Sequence, residues 1–114
     1  MEESSPTIKG FEAFSKGNQE WTRDLVVMYL KSTTEQLADL EKAVREADHR
    51  TAERIAHNAG GSSSFVGFID LSSLFRKFED TARRNDLGEA ETILRMAHAE
   101  FDEIARHLNS YLDS

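Results

Sequence analysis

The sequence predicts an all-α protein, an antiparallel up-down four-helix bundle with a short N-terminal helix. Three observations lead there. Pro6 is the only proline in the 114 residues, so nothing beyond it forces a helix to break. Apolar residues recur at spacings of three and four, the period of a helix with one buried stripe, rather than alternating as in a strand. Helix-start signals, at Asn18, Asp48, Asp70 and Asp86, cut the chain into helix-length pieces.

Each element follows in order. Residues 1–6 are expected to be flexible. Residues 7–14 are read as a short lead-in helix whose Phe11 and Phe14 close one end of the bundle. Gly17 marks a break and Asn18 caps the first long helix. Its seam is Val26, Leu30, Thr33, Leu37, Leu40, Val44 and Ala47, stepping by fours and threes. A shorter helix starts after Asp48 and runs to about Val66. The next starts after Asp70 and runs to about Asn85, with Leu71, Leu74, Phe75, Phe78 and Ala82 as its buried stripe. Asp86 and Glu89 form a capping-box pattern ahead of the last stripe, Leu94, Ala97, Phe101, Ile104, Leu108 and Leu112. Helices with one stripe each and short connections must bury those stripes against one another, which also predicts a monomer. The whole chain reads as one domain.

Composition removes several functions. With 21 acidic against 14 basic residues the formal charge is -7, which opposes binding to nucleic acid and to anionic lipid. Cysteine is absent, so there is no thiol nucleophile and no thiolate metal site. His49, His57, His98 and His107 show no metal-ligand spacing, and no metal site is expected. The first residues lack a signal-peptide pattern and no apolar run is long enough to span a membrane, so a cytoplasmic protein is expected. No phosphate-binding glycine loop is present.

The informative stretch is RIAHNAGGSSSFVGF, residues 54–68. Glycine inside a helix costs roughly 1 kcal/mol relative to alanine, yet two glycines follow His57 within one turn. On a helical wheel Ile55, Ala59, Ser62 and Val66 lie opposite His57 and are expected to pack inward. His57 then points outward among Arg50, Glu53, Arg54, Gly60, Gly61 and Ser64. A helical side chain leans toward the N-terminus, so a bulky residue at 61 would cover the imidazole. The glycine leaves the ring open to another protein's surface.

The ordered set His57, Gly60, Gly61, Ser62 and Gly67, with the helix lengths around it, resembles the histidine-containing phosphotransfer (HPt) domain family. The segment GNQEWTRDLVVMYLKSTTEQLADLEKAVREAD looks like that family's long helix, and LSSLFRKFEDTARRND like the helix after the histidine. The resemblance implies a phosphorelay carrier of two-component signalling, with His57 as the phosphorylated residue. It implies transfer to or from a response-regulator receiver domain, or receipt from a histidine kinase. It implies no cofactor of its own, the Mg²⁺ belonging to the receiver. Glu79, 22 positions after His57, falls where the family often has a residue that orients the imidazole. Arg83 and Arg54 are candidates for balancing phosphoryl charge. Gly60, Gly61, Ser64, Phe65, Gly67 and Phe68 are the candidate docking residues, whereas Trp21 and Tyr29 are expected in the core. Gly60 stands where the family usually has lysine, which keeps open an alternative: an HPt-like module that binds a receiver or kinase without relaying phosphate.

Overall fold

Side-chain caps and left-handed turn residues divide the chain into five helices. The computed structural model describes residues 8–114, so the expected flexibility of residues 1–6 and the start of the lead-in helix at residue 7 lie outside the described residues. The helices are α1 (Lys9–Ser15), α2 (Gln19–Arg45), α3 (His49–Phe65), α4 (Ile69–Arg83) and α5 (Leu87–Asp113). Among the described residues there is no strand. Each of α2 to α5 packs on its sequence neighbours and α5 closes on α2, giving the four-helix bundle expected, with α1 laid against α2. At 1.5 Å per residue the two 27-residue helices account for the 42 Å long axis.

The expected caps are found at three of four positions. Asn18 accepts from the Trp21 amide, Asp48 from Thr51 and Asp86 from Glu89, each satisfying a donor that the first helical turn leaves unpaired. The Thr51 hydrogen bonds hold the Asp48 carboxyl below its ordinary pKa. The fourth differs from expectation. α4 begins at Ile69, one residue before Asp70, with Phe68 in the cap position and no side-chain cap bond.

The three connections within the bundle share one geometry. In each, a residue of positive φ follows the helix: Ala47 at 54°, Gly67 at 93° and Asn85 at 60°. The next amide bonds back to the helix, Asp48 to Ala43 (2.8 Å), Phe68 to Ser63 (2.8 Å) and Asp86 to Thr81 (3.0 Å). These are Schellman turns, and in each the residue that ends one helix also starts the next. They correct one part of the seam read for α2. Ala47 lies beyond the helix and is exposed, while Ala43 is buried in the stripe with Val26, Thr33, Leu37 and Leu40.

α1 closes one end of the bundle. A Cβ on Gly10 would lie 2.1 Å from the Val66 carbonyl oxygen, so only glycine lets α1 rest on the α3–α4 turn. Phe11 is thereby buried against Tyr29 and Phe68, with ring centroids 5.7 and 5.9 Å away. Phe14, expected to share this role, is 46% exposed.

Two measurements check this account. Ala47 holds a backbone shape costing a β-carbon residue roughly 1 kcal/mol or more, so Ala47→Gly should raise stability in urea titrations, by up to about 1 kcal/mol, and Gly67→Ala should lower it similarly. The second concerns Tyr29, whose hydroxyl shares a 2.8 Å hydrogen bond with Ser63. Burial raises its pKa from 10.0 to about 12. The folded state thus prefers the neutral phenol, and that stability is complete below pH 10 and lost as pH rises toward 12. Tyr29→Phe should be weaker near neutral pH by about 1 kcal/mol, and the gap from wild type should close or reverse on passing through that alkaline window.

Candidate functional site

Small residues bring α3 and α4 together, and the site sits on that contact. The buried face of α3 consists of Ala52, Ala56, Ala59, Gly60 and Ser63. This face is turned by about 75° on the helical wheel from the one expected. Ile55 and Val66 are only partly buried and Ser62 is exposed, its hydroxyl donating to the Asn58 carbonyl. The turn follows from close packing on α4. A Cβ on Gly60 would stand 3.3 Å from the Phe75 Cβ, and the Ser72 hydroxyl donates to the Gly60 carbonyl at 2.9 Å. Gly60 is therefore a buried contact between helices rather than part of an exposed docking face.

The rotation puts His57 at the edge of α3 that borders α4, with its side chain 72% exposed. Its Nδ1 lies 3.1 Å from Oε2 of Glu79, whose side chain is only 16% exposed. A carboxylate only accepts, so Nδ1 carries the proton, and in the neutral ring Nε2 keeps its lone pair. Glu79 is held in turn: Arg83 donates to the same Oε2 at 3.0 Å and, through Nε, to Glu53 at 2.8 Å. The Glu53 hydrogen bond, first, and nearby carboxylates hold the Arg83 guanidinium above its ordinary pKa. The ladder His57–Glu79–Arg83–Glu53 thus crosses between α3 and α4 twice.

The other candidates are distributed around this centre. Gly61 is exposed, with nothing within 4 Å of an added Cβ. Arg54 is exposed on the opposite flank, lining a recess with Asp39, Lys42 and Asp48, and its charge acts on Asp48. It is not drawn into the ladder. Ser64 is partly buried, and Gly67 is an exposed turn residue. Phe68 is a correction: at 7% exposure it belongs to the core with Tyr29, 5.4 Å between ring centroids, because the turn folds it under α1. Phe65 is 66% exposed and meets Phe14 edge-on at 5.2 Å, and Phe14 meets Trp21 at 5.7 Å. Trp21, expected in the core, is 44% exposed, whereas Tyr29 is buried as expected. Phe14, Met28, Phe65 and Ser62 border an apolar recess beside α3.

The sequence reading selected Arg83 but did not assign Glu53 a role, although Glu53 lies one turn before His57. Nor did it place Phe14 and Trp21 on the surface beside the selected Phe65, because an aromatic residue on an amphipathic helix reads as core until the neighbouring helix is placed. Among the described residues, no group of three or more His, Asp or Glu side chains is arranged to hold a metal ion.

Comparison with known proteins agrees with this fold. A solved structure, histidine-containing phosphotransfer protein B from Pseudomonas aeruginosa PAO1, superposes with a TM-score of 0.86 at 19% identity, covering 95% of this chain and 94% of that one. It shares the fold. The phosphorelay intermediate protein rdeA of Dictyostelium discoideum is 26% identical over 98 residues, 86% of this chain. This chain spans about two fifths of that relative's length (39%). The family model described as Hpt domain matches residues 24–111, which contain most of the first long helix, the whole histidine helix and the ladder. With a family match over most of its length, the chain belongs to the Hpt domain family.

Proposed function

We propose that this chain is a phosphorelay carrier in two-component signal transduction, accepting and donating a phosphoryl group on Nε2 of His57. The observation that supports it is the exposed imidazole with Nδ1 held on the Glu79 carboxylate. Uptake is an in-line displacement. The Nε2 lone pair attacks phosphorus of an aspartyl phosphate on a receiver domain, the N–P bond forms, and the P–O bond breaks with its electron pair leaving on the aspartate carboxylate. The Nδ1 proton stays in place, so the phosphorylated ring carries positive charge that the Glu79 carboxylate stabilises. In the reverse direction the same proton makes the ring the better leaving group.

Phosphoryl transfer asks chiefly for positioning and for balance of the moving charge. The receiver supplies the acidic pocket and Mg²⁺, and this chain needs no cofactor of its own. Arg83 acts through Glu79, while Arg54 lies on the flank toward α2. Docking uses the open surface at Gly61 with Ser64, Phe65 and Gly67. The exposed rings of Phe14 and Trp21 extend that surface. The carrier works as a monomer in the cytoplasm, its buried stripes closing on one another.

Incubation with phosphorylated receivers of the source organism should transfer an acid-labile phosphoryl group, lost in His57→Gln. Receivers that bind the wild-type chain without ever labelling it would instead establish a binding-only module. Removing the Glu79 carboxylate with Glu79→Ala should slow transfer roughly 10- to 100-fold, the scale for a residue that orients a reacting imidazole. Nitrogen NMR should show the Nδ1–H tautomer losing population in the same variant. Gly61→Gln should fold normally and melt slightly higher, by up to about 1 kcal/mol of helix propensity. Its transfer from a receiver should nonetheless collapse, while labelling by phosphoramidate, a small donor, changes little.

A further inference from the structure

We propose that Arg76 binds the phosphoryl group carried by His57, an inference that rests on the reading of His57 as the phosphoryl carrier. A phosphoryl group brings a charge of about -1.5 to -2 to a surface that already holds Glu53, Glu79 and Asp80. A cation must meet it. Arg83 is committed, donating to both Glu53 and Glu79 and standing 3.7 Å from Asp80. Arg54 faces the α2 side, where its charge acts on Asp48.

Arg76 is differently placed. It is exposed on α4 and, among the described residues, makes no ion pair and no side-chain hydrogen bond. It precedes Glu79 by one turn of α4, so it shares the side of the helix that reaches His57. Because α3 and α4 run antiparallel, one turn back along α4 is one turn onward along α3, the level of Gly60 and Gly61. The structure shows this contact: the Arg76 Cγ lies 3.8 Å from the point where a Cβ on Gly60 would stand. The aliphatic stem therefore runs across the bare backbone of Gly60. From Cγ the two terminal guanidinium nitrogens lie four bonds further on. His57 is one turn away, about 5–6 Å between neighbouring Cβ positions, which is within that reach. The bare glycine at 60 thus has two effects, close packing of Phe75 and passage for the arginine stem toward the imidazole. As the Nε2–P bond forms and the aspartyl O–P bond breaks, the guanidinium donates to the phosphoryl oxygens. The family resemblance places a lysine at 60. Here the cation arrives from α4.

The test uses the full chain labelled with phosphoramidate. Arg76→Gln should slow labelling of His57 roughly five-fold at low salt, the scale on which a solvent-exposed cation acts. The difference should shrink at high salt, and Arg76→Lys should restore most of the rate. The phosphorus NMR titration of the phosphohistidine should move upward in pH in Arg76→Gln, since a neighbouring cation favours the dianion. Equal rates and equal titration midpoints in wild type and Arg76→Gln would overturn the assignment while leaving His57 as the carrier. Undiminished labelling of His57→Gln would instead overturn the carrier reading. If Arg76→Gln melts early, the titration midpoint measured on its folded fraction still decides, because a purely structural arginine would not move it.

Discussion

The close approach of α3 to α4 is the constraint from which the rest of the site follows. It depends on Gly60, which admits the Phe75 side chain at a distance that a β-carbon would crowd, and on Ser72, which ties its hydroxyl to the Gly60 carbonyl. With the helices drawn together, α3 is rolled toward α4 and its histidine moves from the outermost line of the helix to the seam. Only there can a side chain of α4 reach it. The carboxylate of Glu79, mostly covered, is then oriented by Arg83 rather than by solvent alone. Packing, hydrogen bonding and reactivity are linked through one small residue.

This arrangement shows how a weak general principle gains force from context. An isolated surface ion pair contributes little, because two long side chains must be ordered in water. In the ladder from His57 to Glu53 the two inner groups, Glu79 and Arg83, are each fixed at two points and the helices beneath are already close. The ordering cost is met largely by the fold. The ladder's value therefore lies in holding one imidazole nitrogen protonated and the other free, more than in holding the bundle together.

Much of this was legible in the sequence. The four helices, the caps at Asn18, Asp48 and Asp86, and the stripe of α4 follow from period and capping chemistry, which are local. His57 and its partner Glu79 were singled out by the family resemblance, and the pairing holds because antiparallel helices joined by a short turn fix which residues face each other. The misreadings share a physical origin. The roll of α3 depends on the partner helices, so Ser62 was taken as inward and Gly60 as outward. Phe65 and Phe68 are three residues apart, yet one is exposed and the other buried. The turn between them redirects the chain, and helical periodicity does not extend across it. Ala47 fell outside its helix for the same reason, as the left-handed residue of a turn whose sequence carries no glycine.

Those turns have a further consequence. Each connection in the bundle is three residues long, and its last residue serves both helices, so no slack exists to absorb a change in length. Surface loops ordinarily tolerate insertions at small entropic cost. Here one added residue between Phe65 and Ile69 would have to loop out, or else shift α4 by about 1.5 Å and turn it by roughly 100°, carrying Glu79 away from the imidazole. The 22 positions between His57 and Glu79 thus act as a ruler cut to the dimensions of the hairpin. The buried positions along that interval are constrained by packing, and its length is dictated by geometry.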